Sequence, residues 1–433
     1  MVSQRQSVLV FPCGSEVGLE LGKALSHSRF FNLIGGSSVA DHGSFFFPHH
    51  IDGLPFVGDA GLLPAVQRII EDRRIAFIFP AHDGAVTLFS QWEQQGALGP
   101  ARVVSSTYET CKVVRSKLQT YSLFEGVIPT PKIYGSAAEV PGYPVFLKPD
   151  VGQGSKGTFK AICLADIEYQ QAKDPTLLIL EHLPGREYTV DCFTDRHGAL
   201  RFAEGRQRNR ISNGISVNTA KTKDARFGEW ADKINRTLRF SGAWFFQVKA
   251  RESGEFVLLE IGARIAGTSC YHRASGVNLP LLSLFDKMGH DITIAENNVA
   301  LEMDRQLQNR YKFDYDFRDV YVDFDDTLVE EDKVNHRILA VLYRFKFEGK
   351  KLHLITRHFA NHREEVRVAL KKVFVDPLLF DEIVDVPSVD RKSSHVAKEC
   401  AIFIDDSFRE RNDVSGELGI PVFDVNQMIE VFG

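Results

Sequence analysis

The sequence predicts an α/β protein of several domains built on parallel sheets. Short apolar runs alternate with helix-length amphipathic stretches, the pattern of β-α-β units. Several of the apolar runs end in turns rich in Gly, Asp and Ser, at the strand ends where open α/β sheets bind ligands. The chain has 433 residues, and at roughly 150 residues per domain it has room for more than one.

Composition and charge limit the kinds of molecule that the protein is expected to bind. Hydrophobic residues make up 44% of the chain and charged residues 25%, as in soluble globular proteins. Lys and Arg number 52 against 57 Asp and Glu, a net charge of -5, so no basic excess predicts nucleic-acid binding. No apolar run approaches the roughly 20 residues that span a bilayer, and no signal-peptide core precedes the first strand-like run. We expect a cytoplasmic protein with no membrane contact.

The cysteines are scattered singly along the chain. They are Cys13, Cys111, Cys163, Cys192, Cys270 and Cys400. None forms a C-x-x-C pair, so the spacing supports neither a zinc site nor a disulfide framework.

The elements divide the chain into four segments. A first strand at residues 7–11 and a later one at 75–80, which ends in Ala81-His-Asp-Gly84, belong to the first segment. Mixed strands and helices with Gly-rich connections follow, then a charged and aromatic stretch, then a new α/β pattern. The predicted domains are therefore residues 1–105, 106–308, a linker at 309–317, and 318–433.

A phosphate-binding loop is the central motif of the first two segments. The run V-F-L-K-P-D-V-G-Q-G-S-K-G at residues 145–157 is a strand that delivers Lys148, followed at once by a loop with Gly152, Gly154 and Gly157. Glycines let the backbone N–H groups approach phosphate oxygens, and the lysine supplies a positive charge. By itself the loop is also compatible with a plain flexible hairpin.

The residues that follow strengthen the interpretation as a nucleotide site. An apolar strand at 176–180 leads into E-H-L-P-G-R-E at 181–187. Two later runs, at 243–249 and 255–264, are typical of paired strands that place Gln247, Glu260 and Arg264 on one surface. Oxygen ligands beside phosphates suit Mg²⁺.

With this ordered set, residues 1–305 resemble the ATP-grasp superfamily, in particular its carboxylate–amine (amino-acid-type) ligases. Lys117, in R-S-K-L-Q before V-I-P-T-P at 127–131, belongs to the same pattern. The resemblance implies a Rossmann-like pre-ATP-grasp domain followed by the ATP-grasp α+β fold. It also implies these roles: ATP binding by Lys117, Lys148, Gly152, Gly154, Ser155, Gly157, Glu181, His182, Leu183 and Glu187; Mg²⁺ or Mn²⁺ binding by Gln247 and Glu260; and stabilisation of the acyl phosphate by Arg264.

One position departs from the family pattern. Many members carry Asn two residues after the metal-binding glutamate, whereas this chain has Gly262 after Glu260. The departure leaves open whether one or two metals bind, and an inactive relic of the fold is an alternative.

Candidate substrate residues lie outside the ATP motif. Arg206, Arg208 and Arg210 alternate at strand spacing and could share one face that binds an anionic substrate. A solvated strand face is the alternative. Asp83, at the end of a strand of the first domain, is a second candidate.

The last segment carries paired acids after a buried strand. In D-V-Y-V-D-F-D-D-T-L at 319–328, Asp323 and Asp325 lie on the same side of an extended chain. One carboxylate can attack phosphorus while the other transfers protons, and a cation is needed to hold them together. A strand ending at Thr356, then Lys392, and then a strand ending in Asp405 follow in order.

Residues 318–433 resemble the HAD superfamily, because all four motifs of that family occur in order. The resemblance implies an uncapped, HAD-like Rossmannoid domain, since the short spacing between Thr327 and Thr356 leaves no room for a cap. Asp323 would be the nucleophile and Asp325 the general acid/base. Thr356 and Lys392 would hold the phosphoryl group, and Asp405 would join both aspartates in binding Mg²⁺. His358 and His362 could suggest a metal, but an ordinary exposed pair explains them as well.

The sequence therefore predicts a bifunctional enzyme, an ATP-grasp ligase fused to a HAD phosphatase. Its partners would be a small-molecule carboxylate, an amine and a phosphorylated small molecule. It also resembles ATP-grasp enzymes of biosynthetic clusters, including those linked to tellurite-stress operons, and related ligases are often dimers, so a homodimer is the candidate assembly. Two alternatives stay open: a ligase whose HAD domain is a regulatory or docking module, and an ATP-binding switch without ligation.

Overall fold

The computed structural model describes residues 5–152, 154, 156–212, 214–297, 299–357 and 363–433, with only the backbone of 363 and 364. The chain forms two compact units, Met1–Leu307 and Gln308–Gly433. None of the described helices has the length and apolar composition needed to cross a membrane.

Unit 1 opens with a parallel sheet. Its strands are β1 (Gln6–Phe11), β2 (Phe31–Gly36), β3 (His50–Ile51), β4 (Ile75–Pro80) and β5 (Arg102–Val103), in the order β3-β2-β1-β4-β5. The accompanying helices are α1 (Glu16–Leu25), α2 (Gly43–Phe46), α3 (Leu62–Arg73) and α4 (Asp83–Gln94). The apolar run of β4, predicted from sequence, is confirmed with the same bounds, since buried parallel strands require continuous apolar residues.

Two antiparallel sheets follow in unit 1. Helices α5 (Tyr108–Arg115) and α6 (Lys117–Phe124) lead into the smaller one, with β6 (Ile133–Tyr134), β7 (Val145–Pro149), β8 (Phe159–Ala161), α7 (Leu164–Lys173) and β9 (Leu177–Glu181). The order of that sheet is β6-β9-β7-β8. A 3₁₀ turn spans Ala137–Glu139.

The larger antiparallel sheet has the order β14-β13-β10-β11-β12-β15. Its elements are β10 (Glu187–Thr194), β11 (Leu200–Ser212), β12 (Ile215–Lys221), α8 (Ala225–Thr237), β13 (Gly242–Ala250), β14 (Phe256–Gly262), α9 (Cys270–Ala274), α10 (Leu279–Lys287) and β15 (Glu302–Asp304). The predicted pairing of the runs at 243–249 and 255–264 is confirmed, and Gln247 lies directly opposite Glu260. Aromatic side chains fill the core on one side, where Phe227 stacks on Phe256.

Unit 2 is built on one parallel sheet of order β20-β19-β16-β21-β22. Its elements are β16 (Asp319–Asp323), the hairpin β17 (Val329–Glu330) and β18 (Lys333–Val334), α11 (His336–Phe347), β19 (Lys351–Thr356), α12 (Arg363–Lys372), β20 (Glu382–Asp385), β21 (Ala401–Ile404), α13 (Phe408–Leu418), β22 (Val422–Phe423) and α14 (Val425–Phe432). Short 3₁₀ turns span Pro377–Leu379 and Lys392–His395. The sheet order is that of doubly wound folds, in which ligands bind at the carboxyl ends of the strands.

Candidate active sites

A cavity of about 190 Å³ lies in unit 1 between the two antiparallel sheets. Its apolar walls come from Pro131, Phe146, Leu180, Leu183 and Leu259. Its polar and charged lining residues are Lys117, Lys148, Lys156, Thr158, Glu181, His182, Glu187, Arg208, Gln247, Lys249 and Glu260, and Gly152 and Gly154 line it as well. The cavity thus combines apolar walls with a small set of charged groups, as ligand sites commonly do.

Lys148 is the most deeply buried cation of this cavity. Its position on β7 directs the ammonium to the Tyr121 hydroxyl at 2.7 Å and to the Leu259 carbonyl at 3.4 Å. Burial and the neighbouring charge of Lys117 lower the pKa of Lys148 to about 7, although Glu260 opposes the shift. A buried ammonium of this kind is stabilised by any anion that enters the cavity.

The loop that follows β7 is tied to the junction of α5 and α6. The Ser116 hydroxyl donates to the Asp150 carboxylate, and Lys117 Nζ donates to the Asp150 carbonyl at 2.9 Å. Arg115 Nη1 donates to the Gly152 carbonyl at 2.9 Å. Gly154, with φ of +61°, adopts the left-handed conformation that glycine tolerates best. These contacts bring two cations, Arg115 and Lys117, to one edge of the loop.

Acidic and amide side chains face these cations from the larger sheet. Gln247 on β13 and Glu260 on β14 are cross-strand neighbours. Arg208 forms an ion pair with Glu187, and its Nη1 also donates to Gln247 Oε1 at 3.1 Å. The oxygens of Gln247 and Glu260 are of the type that Mg²⁺ prefers.

The strand end at Glu181 is held by an arginine. Arg251 Nη2 donates to Glu181 Oε1 at 2.5 Å, and the backbone N–H of Lys132 donates to the same oxygen at 3.1 Å. His182 and Leu183 follow in the cavity lining. The ion pair fixes this backbone at the apolar end of the cavity.

A second, smaller cavity adjoins the first. It shares with the first cavity Lys117, Gly152, Gly154, Leu259 and Glu260. Its own charged lining consists of Asp83, Arg115 and Arg264. The groups shared by both cavities therefore mark the point at which two bound molecules would meet.

Arg264 and Asp83 dominate the charge of the smaller cavity. Arg264 Nε and Nη2 donate to the two Asp83 oxygens at 2.7 and 2.9 Å, and Arg115 Nη1 lies 3.9 Å from Asp83 Oδ2. Burial would raise the pKa of Asp83, but Arg264 and Arg115 outweigh it and hold that pKa below its usual value. The pKa of Arg264 is raised, because the Asp83 carboxylate outweighs the opposite effect of burial. Because two arginines, Arg115 and Arg264, face the single carboxylate of Asp83, the lining of this cavity has a net positive charge.

Unit 2 carries a separate buried cluster at the carboxyl ends of its central strands. Lys392 Nζ donates to Asp323 Oδ1 and to Asp405 Oδ2, both at 2.6 Å. Burial raises the pKa of Asp323 and of Asp405, and it outweighs the lowering effect of Lys392. One carboxylate oxygen from each of Asp323, Asp405 and Asp406 lies within 4.8 Å of the other two, an all-oxygen set that suits Mg²⁺.

Neighbouring groups fix this cluster. The Ser407 backbone N–H donates to Asp405 Oδ1 at 2.8 Å, and the Asp406 backbone N–H donates to the Thr327 hydroxyl at 2.9 Å. Thr356 is fully buried at the end of β19. Asp325 is partly buried just past the end of β16, outside the group formed by the other three acids.

Comparisons with known proteins bear on unit 1. The family model described as "ATP-grasp in the biosynthetic pathway with Ter operon" matches residues 173–315. No curated protein sequence gives a significant match to the chain.

Solved structures with a similar fold include three from bacteria. Biotin carboxylase of Campylobacter jejuni, in complex with β,γ-ATP, is 15% identical with a TM-score of 0.56, over 67% of this chain and 72% of that one. The biotin carboxylase domain of the Hydrogenobacter thermophilus 2-oxoglutarate carboxylase, in complex with MgADP and bicarbonate, is 13% identical with a TM-score of 0.56, over 68% and 72%. An L-amino acid ligase of Bacillus licheniformis is 14% identical with a TM-score of 0.52, over 65% and 73%.

Unit 1 has an ATP-grasp-like fold. Most residues expected to bind ATP line its larger cavity. Gly157 does not line it, and Ser155 lies outside the described residues, as do His358 and His362 in unit 2. Tyr121, Arg115 and Lys249 also contact or line the cavities, and the sequence analysis did not select them. Arg115 lies two residues before Lys117 in the R-S-K motif, so the motif could have identified it as a site residue.

Packing in unit 1 explains why residue 262 is a glycine. A Cβ at this position would lie 2.4 Å from the ring of Phe245, so a larger side chain such as Asn does not fit without displacing that ring. Position 262 therefore contributes no metal ligand. The candidate ligands that remain on this surface are Gln247 and Glu260.

The three arginines of β11 occupy different surroundings. Arg206 is buried and donates through Nε to Asp191 Oδ2 at 2.7 Å, beneath His272 of α9. Arg208 lines the larger cavity. Arg210 is exposed and pairs with Asp304, after an irregularity in the strand register. The expectation of one shared anion-binding face does not hold for all three, because α9 covers one residue and the register shift redirects another.

Proposed function

We propose that unit 1 is an ATP-dependent carboxylate–amine ligase that works through an acyl phosphate. The observation that carries the proposal is the pair of adjoining cavities with Lys117, Gly152, Gly154 and Glu260 in common. A nucleotide in the larger cavity would present its terminal phosphate at the shared wall. A carboxylate in the smaller, net positive cavity would approach that phosphate from the other side. Ligases of this type need this adjacency, because their first step transfers the γ-phosphoryl group from one bound molecule to the other.

ATP would bind along the larger cavity. The adenine would lie between the apolar walls and the backbone of residues 181–183, and Glu187 would accept a hydrogen bond from the ribose. Lys117 and Lys148 would carry the phosphates, with backbone N–H groups of the loop at Gly152 and Gly154. The low pKa of Lys148, about 7, means that the bound phosphates would draw a proton onto this side chain.

Gln247 and Glu260 would hold Mg²⁺ or Mn²⁺, since both are oxygen donors that face the lysines across the cavity. A bound divalent cation supplies neutralisation of the phosphate charge in such reactions. Arg208 forms an ion pair with Glu187 and donates a hydrogen bond to Gln247 Oε1. These two contacts orient the side chains of Glu187 and Gln247.

The chemistry would proceed in two displacements. A carboxylate oxygen of the substrate attacks the γ-phosphorus, a new P–O bond forms, and the bond to ADP breaks. The amine nitrogen then attacks the acyl carbon, phosphate leaves, and the nitrogen loses a proton as the amide forms. Arg264, held by Asp83, would stabilise the negative charge that develops on the acyl phosphate. The protein mainly positions the two molecules and balances charge.

ADP formation tests this ligase. The full-length Asp323→Asn variant would be supplied with Mg-ATP and screened across amino acids and other carboxylates, each with and without amine acceptors. We expect ADP release with one class of carboxylate and its loss in a Lys148→Ala double variant. Lys173→Ala, at the end of the peripheral helix α7, is the matched control and retains activity. Tight ATP binding without any carboxylate-dependent turnover would instead support the conformational switch.

We further propose that unit 2 hydrolyses a phosphomonoester. The carrying observation is the buried cluster in which Lys392 lies 2.6 Å from both Asp323 and Asp405. An Asp323 oxygen would attack phosphorus, and the ester P–O bond would break as Asp325 protonates the leaving oxygen. Water would then hydrolyse the phospho-aspartate with Asp325 as base. Asp323, Asp405 and Asp406 would bind Mg²⁺, which supplies charge neutralisation. Asp325, which the resemblance also made a ligand, lies outside this group of oxygens and would keep the acid/base role.

The phosphatase proposal is tested by phosphate release from a panel of phosphorylated sugars and amino acids. We expect the wild-type chain to release phosphate from one class and the Asp323→Asn variant to release none. Phosphate release that is unchanged in Asp323→Asn would support the alternative, in which unit 2 is a regulatory or docking module.

A further inference from the structure

A cluster of three potential metal ligands lies in unit 1 away from the nucleotide cavity. Cys13 follows β1, Asp41 lies in the loop after β2, and His50 is in β3. One donor atom from each, the sulfur, a carboxylate oxygen and a ring nitrogen, lies within 4.8 Å of the other two. The cluster is at the carboxyl ends of a parallel sheet, where such sheets bind ligands.

His50 lacks the hydrogen bond that its burial requires. Its Nε2 atom is inaccessible to solvent and has no hydrogen-bond partner among the described residues. A buried polar atom without a partner costs about 1–3 kcal/mol, so native proteins rarely leave one unsatisfied. A metal ion within reach of Nε2 would remove that cost.

Glycine occupies three nearby positions at which a side chain would collide with the donor groups. A Cβ at Gly14 would lie 2.0 Å from Asp41 Cγ, and a Cβ at Gly43 would lie 2.3 Å from Cys13 Sγ. Gly35, which pairs with His50 across β2 and β3, would bring a Cβ to 2.9 Å from the same sulfur. The three glycines leave the space that the Cys13 thiol and the Asp41 carboxylate occupy.

Outer contacts orient the carboxylate. The Gly43 backbone N–H donates to Asp41 Oδ1 at 2.8 Å, and the Ser37 hydroxyl donates to the same carboxylate at 3.0 Å. The Ser37 hydroxyl also lies 3.1 Å from Cys13 Sγ. Metal sites in proteins characteristically have such outer partners, which fix the ligands in place.

We propose that Cys13, Asp41 and His50 bind a divalent transition metal of the Zn²⁺ type. A mixed sulfur, nitrogen and oxygen donor set suits Zn²⁺ and disfavours Mg²⁺, which takes oxygen ligands. On binding, the Cys13 thiol loses its proton to solvent and the thiolate bonds to the metal. The three side chains leave one position of a tetrahedral site for water or a small ligand. The cysteine spacing gave no sign of this site, because its ligands come from three separate elements.

Cobalt substitution tests the site in the full-length protein. After removal of metals by chelation, titration with Co²⁺ is expected to produce the near-ultraviolet absorption of a thiolate–cobalt bond, saturating at one equivalent and abolished by excess Zn²⁺. Oxygen-only sites cannot give this absorption, so Co²⁺ at the sites proposed for Mg²⁺ does not interfere. The absorption is expected to vanish in Cys13→Ser and to persist in Cys111→Ser, which removes another buried thiol. Wild-type protein without the absorption, or its persistence in Cys13→Ser, overturns the proposal.

A second variant guards against misfolding of Cys13→Ser. His50→Gln keeps the thiol and changes a partly buried residue of a two-residue edge strand. We expect the metal-free variant to unfold at the wild-type temperature and to bind Co²⁺ at least 10-fold more weakly, as loss of a ligand or its support commonly does. Unchanged affinity in this folded variant would also overturn the proposal.

Discussion

Arg264 and Asp83, which are 181 positions apart in the sequence, form an ion pair with two hydrogen bonds of 2.7 and 2.9 Å. The pair joins the segment after β14 to the first turn of α4, and so fixes one wall of the smaller cavity to the parallel sheet. Because Asp83 occupies two donors of the guanidinium, Arg264 is held in one orientation before any substrate enters. Such preorganisation is the main way in which an arginine contributes to a reaction that develops negative charge.

The first prediction concerns Asp83→Asn. The substitution removes one charge of the pair, so we expect a loss of about 1–3 kcal/mol in the free energy of unfolding. Without its anchor Arg264 binds the acyl phosphate less well, and kcat for ADP formation should fall about 10- to 100-fold. ATP affinity should stay near the wild-type value, because Asp83 does not line the nucleotide cavity. Asp72→Asn, on the exposed face of α3, is the control. A large loss of ATP affinity with unchanged kcat would contradict the expected role.

The second prediction follows from the pKa of Lys148, which burial lowers to about 7. At pH 8 this side chain is mostly neutral in the free protein, and nucleotide phosphates favour its charged form. Binding of ADP or ATP should therefore take up close to one proton, roughly 0.9 at pH 8, and affinity should fall as the pH rises above 7. Calorimetry in buffers of different ionisation enthalpy measures the uptake.

Lys148→Met should abolish that uptake, whereas Lys249→Met, which alters another lysine of the same cavity, should retain it. The sign for stability follows from the same pKa. The unfolded chain binds more protons than the folded chain between pH 7 and 10.5, so the Lys148 contribution to stability increases with pH in that window. An uptake that survives in Lys148→Met would show that another group titrates.

The sequence predicted those parts of the fold and candidate site that depend on local patterns. The strand before Lys148 and its glycines were visible as an apolar run and a loop, and β4 was correct at both ends because a buried strand is continuously apolar. The pairing of Gln247 with Glu260 followed from two adjacent strand-like runs.

Features set by distant packing could not be predicted in this way. Strand alternation predicts that Arg206 and Arg208 share one face of β11. It gives no sign that Arg206 is buried beside Asp191 and His272 of α9. Phe245 lies directly opposite Gly262 in the β13–β14 pair, and its ring occupies the space that a side chain at 262 would need. The pairing of these strands was predicted, but the position of the ring was not, and the packing of α9 over β11 depends on the tertiary fold.

The third prediction separates Arg206 from Arg208. Burial would raise the pKa of Asp191, but Arg206 and His272 hold it at about 2, so the carboxylate is charged inside the protein. Arg206→Met leaves that buried charge without its main partner and should lower the free energy of unfolding by about 3–5 kcal/mol. Asp191→Asn in the same chain should recover much of the loss.

Arg208→Met should behave in the opposite way. It removes the nearer of the two cations that pair with Glu187 at the wall of the nucleotide cavity, so the KM for ATP should increase while stability changes less. Urea unfolding and initial-rate measurements on both variants decide the matter. If Arg206→Met raised the KM for the carboxylate at unchanged stability, the substrate role first expected for this residue would be restored.

The last prediction concerns charge balance in unit 2. Lys392 donates to both Asp323 and Asp405, which are buried. Among the described residues, it is the cation that balances the charge of these two carboxylates. Lys392→Met should therefore destabilise unit 2 by about 1–3 kcal/mol in a chelating buffer. Mg²⁺ brings its own positive charge to the same carboxylates, so adding it should reduce the difference in stability between the variant and the wild type.

Phosphomonoester hydrolysis by the Lys392→Met variant should still fall about 100- to 1,000-fold in Mg²⁺, because the lysine that would contact the phosphoryl group is gone. Lys398→Met, an exposed neighbour, is the control. Thermal unfolding with and without Mg²⁺ measures the first effect and phosphate release the second. An equal loss of stability in both buffers would mean that Mg²⁺ does not bind at these carboxylates, and the phosphatase proposal would lose its metal site.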